Sequence, residues 1–192
     1  MKYIIEHLEP ALSDWCFIEY KHISEIVGKE NLIFTNVKND EEKLKLQEFG
    51  EVKEESVSEM KLTKACVLDP NVETMLQPSD SEVFEYVIFG GILGEDPPKA
   101  RTEELITSKV DYETRNMGDK QMSTDTAVLV AHKILNGTAF EKIPFKDGVE
   151  IEVKNKEGIE HTIELPYRYV LENGKVEFAK GLVKYLEEKD EF

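Results

Sequence analysis

Residues 84–94 read FEYVIFGGILG, an apolar run that stops on three glycines. The stretch Tyr86–Phe89 has no polar alternation, as expected of a strand covered on both faces, and such strands belong to parallel sheets. Gly90, Gly91 and Gly94 let main-chain N–H and C=O groups come close to a ligand; an ordinary tight turn is the alternative reading. Upstream, apolar runs and helical patterns take turns. YIIEH (3–7) reads as a strand, and SDWCFIEYKHISEIVG (13–28) as an amphipathic helix capped by Ser13 or Asp14 and ended by Gly28. NLIFTNV (31–37) is a second strand, NDEEKLKLQEFG (39–50) a capped helix ending at Gly50, and KACVLDP (64–70) a short buried strand closed by Pro70. This alternation predicts an α/β fold, a mostly parallel sheet flanked by helices.

Downstream, EDPPKAR (95–101) leads into a predicted helix, TEELITS (102–108), and TRNMG (114–118) is a short strand candidate. STDTAVLVAHKIL (123–135) reads as a helix capped by Ser123 or Thr124, with Ala127, Val130 and Ile134 on one face and Gly137 past its end. VEIEVKN (149–155) and IEHTIELPYRYVL (159–171) alternate apolar and polar residues around KEG, the pattern of a β-hairpin with one packed face. EFAKGLVKYLEEKDEF (177–192) closes the chain as a helix. The polar stretch GEVKEESVSEMKLTK (50–64) is too short to separate one core from another, so residues 1–192 are expected to form one domain. Trp15, Tyr167 and Tyr169 are read as packing residues.

Forty acidic against twenty-four basic side chains give a formal charge of −16, which repels polyphosphates unless a local basic patch overcomes it. RNA is therefore a disfavoured partner. Cys16 and Cys66 lie fifty residues apart inside apolar stretches and read as buried free thiols, which places the chain in a reducing compartment. Met1 leads straight into a strand-like segment with no apolar leader, so neither secretion nor a membrane span is expected.

Two loops carry chemistry. Beside the glycines, residues 118–126 hold Asp119, Asp125, Gln121 and the hydroxyls of Ser123, Thr124 and Thr126, more polar groups than a helix cap requires, which points to a polar ligand. Residues 142–145, KIPF, matter by position alone. GGILG lacks the lysine of a P-loop and lies too far along the chain for an N-terminal dinucleotide fingerprint. His7, His22, His132 and His161 have no metal-ligand spacing, and no nucleophile elbow is present.

FGGILGEDPP (89–98), MGDKQMSTDTAV (117–128), KIPF and LPYRY (165–169), with YIIEHLEP, EYKHI and VLDP (67–70), resemble one family along nearly the whole chain. It is the group labelled predicted S-adenosylmethionine (SAM) dependent RNA methyltransferases within the SPOUT superfamily, whose eukaryotic member methylates an arginine of a small-subunit ribosomal protein. The resemblance implies a trefoil knot, over about residues 83–146, and SAM bent into a pocket made by the knot loops. It implies that Phe89, Gly90, Gly91, Gly94, Gly118 and Met122 meet the adenine and ribose, that Ile143 and Pro144 close the adenine slot, and that Thr124 and Thr126 offer hydroxyls.

A sulfonium methyl needs no metal, only a nucleophile held in line and a route for its proton. A guanidinium acceptor is best gripped by carboxylates, for which Glu95, Asp96 and Asp119 are the candidates. Asp96 also suits the turn before Pro97, and Asp125 a helix cap. Arg101 fits either the cofactor carboxylate or an acid on its own loop. Together these imply a cytoplasmic, monomeric or homodimeric protein methyltransferase acting on a basic, ribosomal protein. An RNA methyltransferase, which would need a stripe made from Lys99, Arg101, Lys109, Arg115 and Lys120, is the competing enzyme reading. A non-catalytic SAM-binding or acidic assembly protein is the third.

Overall fold

The computed structural model describes residues 1–94, 101–154 and 160–189. The N-terminal alternation resolves into β1 (Lys2–His7), α1 (Asp14–Val27), β2 (Leu32–Thr35), α2 (Asp40–Leu46), β3 (Glu51–Val52) and β4 (Ala65–Leu68). There follow β5 (Tyr86–Gly91), α3 (Arg101–Leu105), β6 (Glu113–Arg115) and α4 (Thr124–Leu135). The chain continues through β7 (Phe145–Lys154), β8 (Glu160–Glu172), β9 (Lys175–Val176) and α5 (Leu182–Glu188). Strands β1 to β6 form one sheet in the order β3-β2-β1-β5-β4-β6, and every neighbouring pair is parallel. The chain leaves β1 toward β2 and later returns as β5 on the other side of β1. The loops after β1 and β5 therefore diverge at the carboxyl edge, where open parallel sheets bind ligands.

The period of two sorts the strand residues onto the two faces. Tyr3, Ile5, Cys66, Leu68, Val87 and Phe89 pack with Tyr20 and Ile23 of α1 and with Val128, Val130 and Ile134 of α4. Their neighbours Ile4, Val67 and Ile88 face the opposite layer, with Ile106 just past α3 and Val57 of the loop after β3. Ile4, Val67 and Ile88 are fully buried, and each contributes about 2 kcal/mol by leaving water. The second sheet is antiparallel, β7-β8-β9, and its apolar side (Val149, Ile151, Val153, Ile163, Leu165) packs with α5 and with Trp15 and Ile18 of α1. Trp15 meets Tyr185 edge-on at 6.0 Å between centroids, and Tyr169 meets Phe178 at 5.1 Å. These aromatics pack, as their sequence context suggests; α1 is thereby shared by both sheets.

Several boundaries differ from the sequence reading for local reasons. Gly90 and Gly91 lie inside β5, because its ladder to β1 continues through Glu6↔Gly90 and His7↔Gly91. Helix α2 stops at Leu46, and the turn after it tightens, the N–H of Phe49 reaching the carbonyl of Leu46, before the chain enters β3. The final helix starts only at Leu182, because Gly181 takes a left-handed conformation with φ 94°. Strands β3 and β9 have two residues each, too few to show a period. The turn expected around KEG falls outside the described residues. Cys16 and Cys66 are buried free thiols. Among the described residues no helix is long and apolar enough to cross a membrane.

Candidate active site

At the carboxyl edge, the ends of β4, β5 and β6 and the first turn of α4 surround a cavity of about 460 Å³, within the usual range for small-molecule sites. Strand β4 ends there because Asp69 closes a turn across Pro70: its Oδ1 accepts the N–H of Asn71 at 2.9 Å, and its Oδ2 accepts the hydroxyl of Thr107 at 2.6 Å. The Asp69 side chain is 1 % exposed yet borders the cavity. Beyond β5, Leu93 donates its N–H to Glu9 at 3.0 Å, and Glu9 also pairs with Arg101 at 3.6 Å. Arg101 in turn reaches the carbonyl of Leu93 at 3.4 Å. A side chain at Gly94 would run into the amide of Gln121 and the ring of Tyr167, whose hydroxyl donates to the Gly94 carbonyl at 3.0 Å. Three segments meet at that glycine. Gly118, at φ 86°, donates its N–H to the side chain of Asn116 at 3.0 Å and turns the chain into the loop that carries Asp119.

The opposite wall is the start of α4, where Ser123, Thr124, Asp125 and Thr126 are all buried. Ser123 holds the cap position but makes no side-chain cap bond; it donates instead to Asp125 Oδ1 at 2.6 Å. Glu19 of α1 lies near Thr124 and Asp125, and its Oε1 accepts Trp15 Nε1–H at 2.7 Å. Burial, reinforced by the nearby charge of Asp125, raises the Glu19 carboxyl well above the usual carboxylate range, against the pull of the Trp15 N–H. Asp125 Oδ2 meets His22 Nδ1 at 2.7 Å, and His22 Nε2 faces Glu177 at 4.0 Å. The Tyr169 hydroxyl is buried without a hydrogen-bond partner among the described residues, and burial raises its pKa far above the usual phenol range.

The structure brings Phe89, Gly90, Gly94, Gly118, Asp119, Met122 and Thr124 together around one cavity. It leaves four expected cofactor contacts off its wall. Gly91 faces α1, and a side chain there would strike the hydroxyl of Tyr20. Thr126 turns its hydroxyl to Ser123 at 2.8 Å. Ile143 is buried in the core shared with α4, and Pro144 is exposed, its carbonyl accepting the N–H of Leu171. Phe140, just before the segment, lies against Gly118 of the cavity wall. Glu95 and Asp96 lie outside the described residues. Of the basic residues that an RNA reading would call on, Arg101 and Lys120 border the cavity, Arg101 pairing with Glu9, whereas Arg115 forks onto Asp80 and stacks on Phe84; Lys99 lies outside the described residues. Sequence reasoning misses Asp69, Asn71 and Met117 on the wall, and Glu19 behind it. An Asp-Pro-Asn turn after an apolar strand is the available signal for the first two.

The family model described as Protein arginine N-methyltransferase SFM1-like matches residues 2–191. The chain belongs to this family. It is 39 % identical over 201 residues to protein arginine N-methyltransferase SFM1 of Saccharomyces cerevisiae, covering 95 % of this chain and 92 % of the yeast protein. The crystal structure of the yeast arginine methyltransferase SFM1 complexed with SAM superposes with a TM-score of 0.85 at 36 % identity, over 97 % of this chain and 89 % of that one. The dual specific Trm10 of Thermococcus kodakaraensis shares the fold alone, at a TM-score of 0.56 and 15 % identity over 74 % of this chain and 96 % of its own. SFM1-like proteins are thus this chain's relatives in sequence and in fold.

Proposed function

We propose that this chain, as a single SPOUT-type domain, transfers the methyl group of SAM to an arginine of a basic, ribosomal protein. The observation that carries the reading is the convergence of both glycine-bearing loops and two carboxylates, Asp69 and Asp119, on one cavity in a chain with SFM1-like sequence. Phe89, Leu68, Met117 and Met122 supply apolar wall for an adenine, and Gly90, Gly94 and Gly118 supply approachable main chain. Thr124 offers a hydroxyl. The trefoil knot over about residues 83–146 and the C-terminal hairpin belong to this reading, as do a cytoplasmic location and a monomeric or homodimeric state.

SAM supplies an electrophilic methyl on a positively charged sulfur. The chain's own work is positioning and charge. Asp119 is exposed at the rim, where a carboxylate can grip a guanidinium by paired charge-assisted hydrogen bonds and keep its attacking nitrogen in line. Glu95 and Asp96, just beyond Gly94, are proposed to share that role. Asp69 is committed to Asn71 and Thr107 and holds the floor of the site rather than the acceptor. The charge of −16 favours encounter with a basic target.

The test is transfer of tritiated methyl from SAM into ribosomal proteins and, in parallel, ribosomal RNA. Label is expected in protein arginine, lowered about tenfold to a hundredfold in Asp119→Asn with thermal unfolding unchanged. Label appearing in RNA alone overturns the substrate assignment.

A further inference from the structure

One carboxylate just outside the cavity holds two pieces of its wall. Glu9 lies in the loop after β1, its side chain 15 % exposed. Its Oε1 accepts the N–H of Leu93 at 3.0 Å and faces a guanidinium nitrogen of Arg101 at 3.6 Å. Arg101 closes the ring by donating to the carbonyl of Leu93 at 3.4 Å. The loop after β1, the stretch beyond β5 and the start of α3 are thereby joined at one oxygen. Leu93 and Arg101 border the cavity, and Glu9 stands behind them.

A guanidinium carries several N–H donors in a rigid plane, so one already oriented by a carbonyl and a carboxylate can fork onto a further carboxylate. The cofactor offers one. SAM and its product S-adenosylhomocysteine (SAH) both end in an α-amino acid, and with the adenine on the apolar wall that end falls to the charged part of the lining. There Lys120, the other cationic side chain among the described lining residues, is exposed to solvent, where water and salt weaken its hold. We propose that Glu9 is a positioning residue: it holds Arg101 in the orientation that grips the cofactor's carboxylate, and so makes the site select ligands that carry the amino acid end. The inference rests on the reading of this cavity as the SAM site. Since the charge of Glu9 opposes a second carboxylate, its contribution is orientation. An arginine swinging free would give up its rotamer freedom when the ligand binds, whereas one held by Glu9 and Leu93 has given it up on folding.

The experiment is calorimetric titration of the full chain with SAH and with methylthioadenosine, which keeps the adenine, ribose and thioether but lacks the amino acid. Thermal unfolding is followed alongside. Arg101→Gln and Glu9→Ala are each expected to weaken SAH about tenfold and to leave methylthioadenosine within about twofold of wild type. Joined in one chain, the two substitutions weaken SAH no more than Arg101→Gln alone, because Glu9 acts through Arg101. Glu9→Asp keeps the charge but withdraws the oxygen by one methylene, and it weakens SAH selectively. Glu9→Gln keeps the reach without the charge and stays near wild type. These two conservative variants hold the test where Glu9→Ala folds poorly. Equal weakening of both ligands, additive effects in the double variant, or a weak Glu9→Gln beside an intact Glu9→Asp overturns the inference. Failure of wild type to bind either ligand overturns the proposed function instead.

Discussion

On one side of the cavity, Asp69 bonds the N–H of Asn71 and Asn116 bonds that of Gly118, each a partner two residues away. On the other side, Asp125 of α4 leans on His22 of α1, a pair separated by 103 positions in the chain. The first wall combines such self-closing turns with one bond from farther off, Thr107 to Asp69, 38 positions away. The second exists only when α1 and α4 are packed together, so its shape reports the state of the whole sheet. A site built this way joins a locally determined rim, suited to changing contacts, to a back wall that forms only with the global fold.

The contrast is open to direct attack, and the strongest blow falls on the packed wall. Asp125→Ala leaves His22 Nδ1 without its partner in a buried place and takes from the Ser123 hydroxyl one of its two, and about 3 kcal/mol of stability is expected to go, read by urea unfolding. Next comes pH. The Glu19 carboxyl binds its proton more tightly folded than unfolded, so its stabilising contribution is complete below about 4.5 and is lost as pH rises through its raised folded value. Wild type should therefore lose stability relative to Glu19→Gln as pH rises, followed by melting in matched buffers. On the turn-built wall, Thr107→Val removes one of two bonds to Asp69 and is expected to cost about 1.5 kcal/mol, with SAM affinity falling as the β4 turn loosens. A stability loss as large as that of Asp125→Ala would erase the distinction between the walls. Lys154→Ala, at an exposed pair with Glu160, sets the floor at less than about 0.5 kcal/mol.

The same contrast explains what the sequence reveals. Residues 84–94 and 123–135 are legible because strand, cap and period are properties of neighbours. Ser13 caps α1 by accepting the N–H of Cys16 at 3.2 Å, as its place before an apolar helix suggests. The seven cavity residues found from the pattern and the resemblance sit in loops, strand ends or helix starts whose roles are local. Glu19 is not legible. On a helical wheel it is an ordinary acid of an amphipathic helix, and only the packing against α4 buries it. Ile143 and Pro144 show the converse: their place after α4 suggests the cavity, but packing takes Ile143 into the core.

The chain has a single tryptophan, Trp15, and its indole N–H ends on the Glu19 carboxyl while its ring edge meets Tyr185 of α5. Its fluorescence is therefore a built-in reporter with two channels. Emission is expected to respond to the Trp15–Glu19 bond and to the seating of the C-terminal helix against Trp15, so both can be watched in the unlabelled protein.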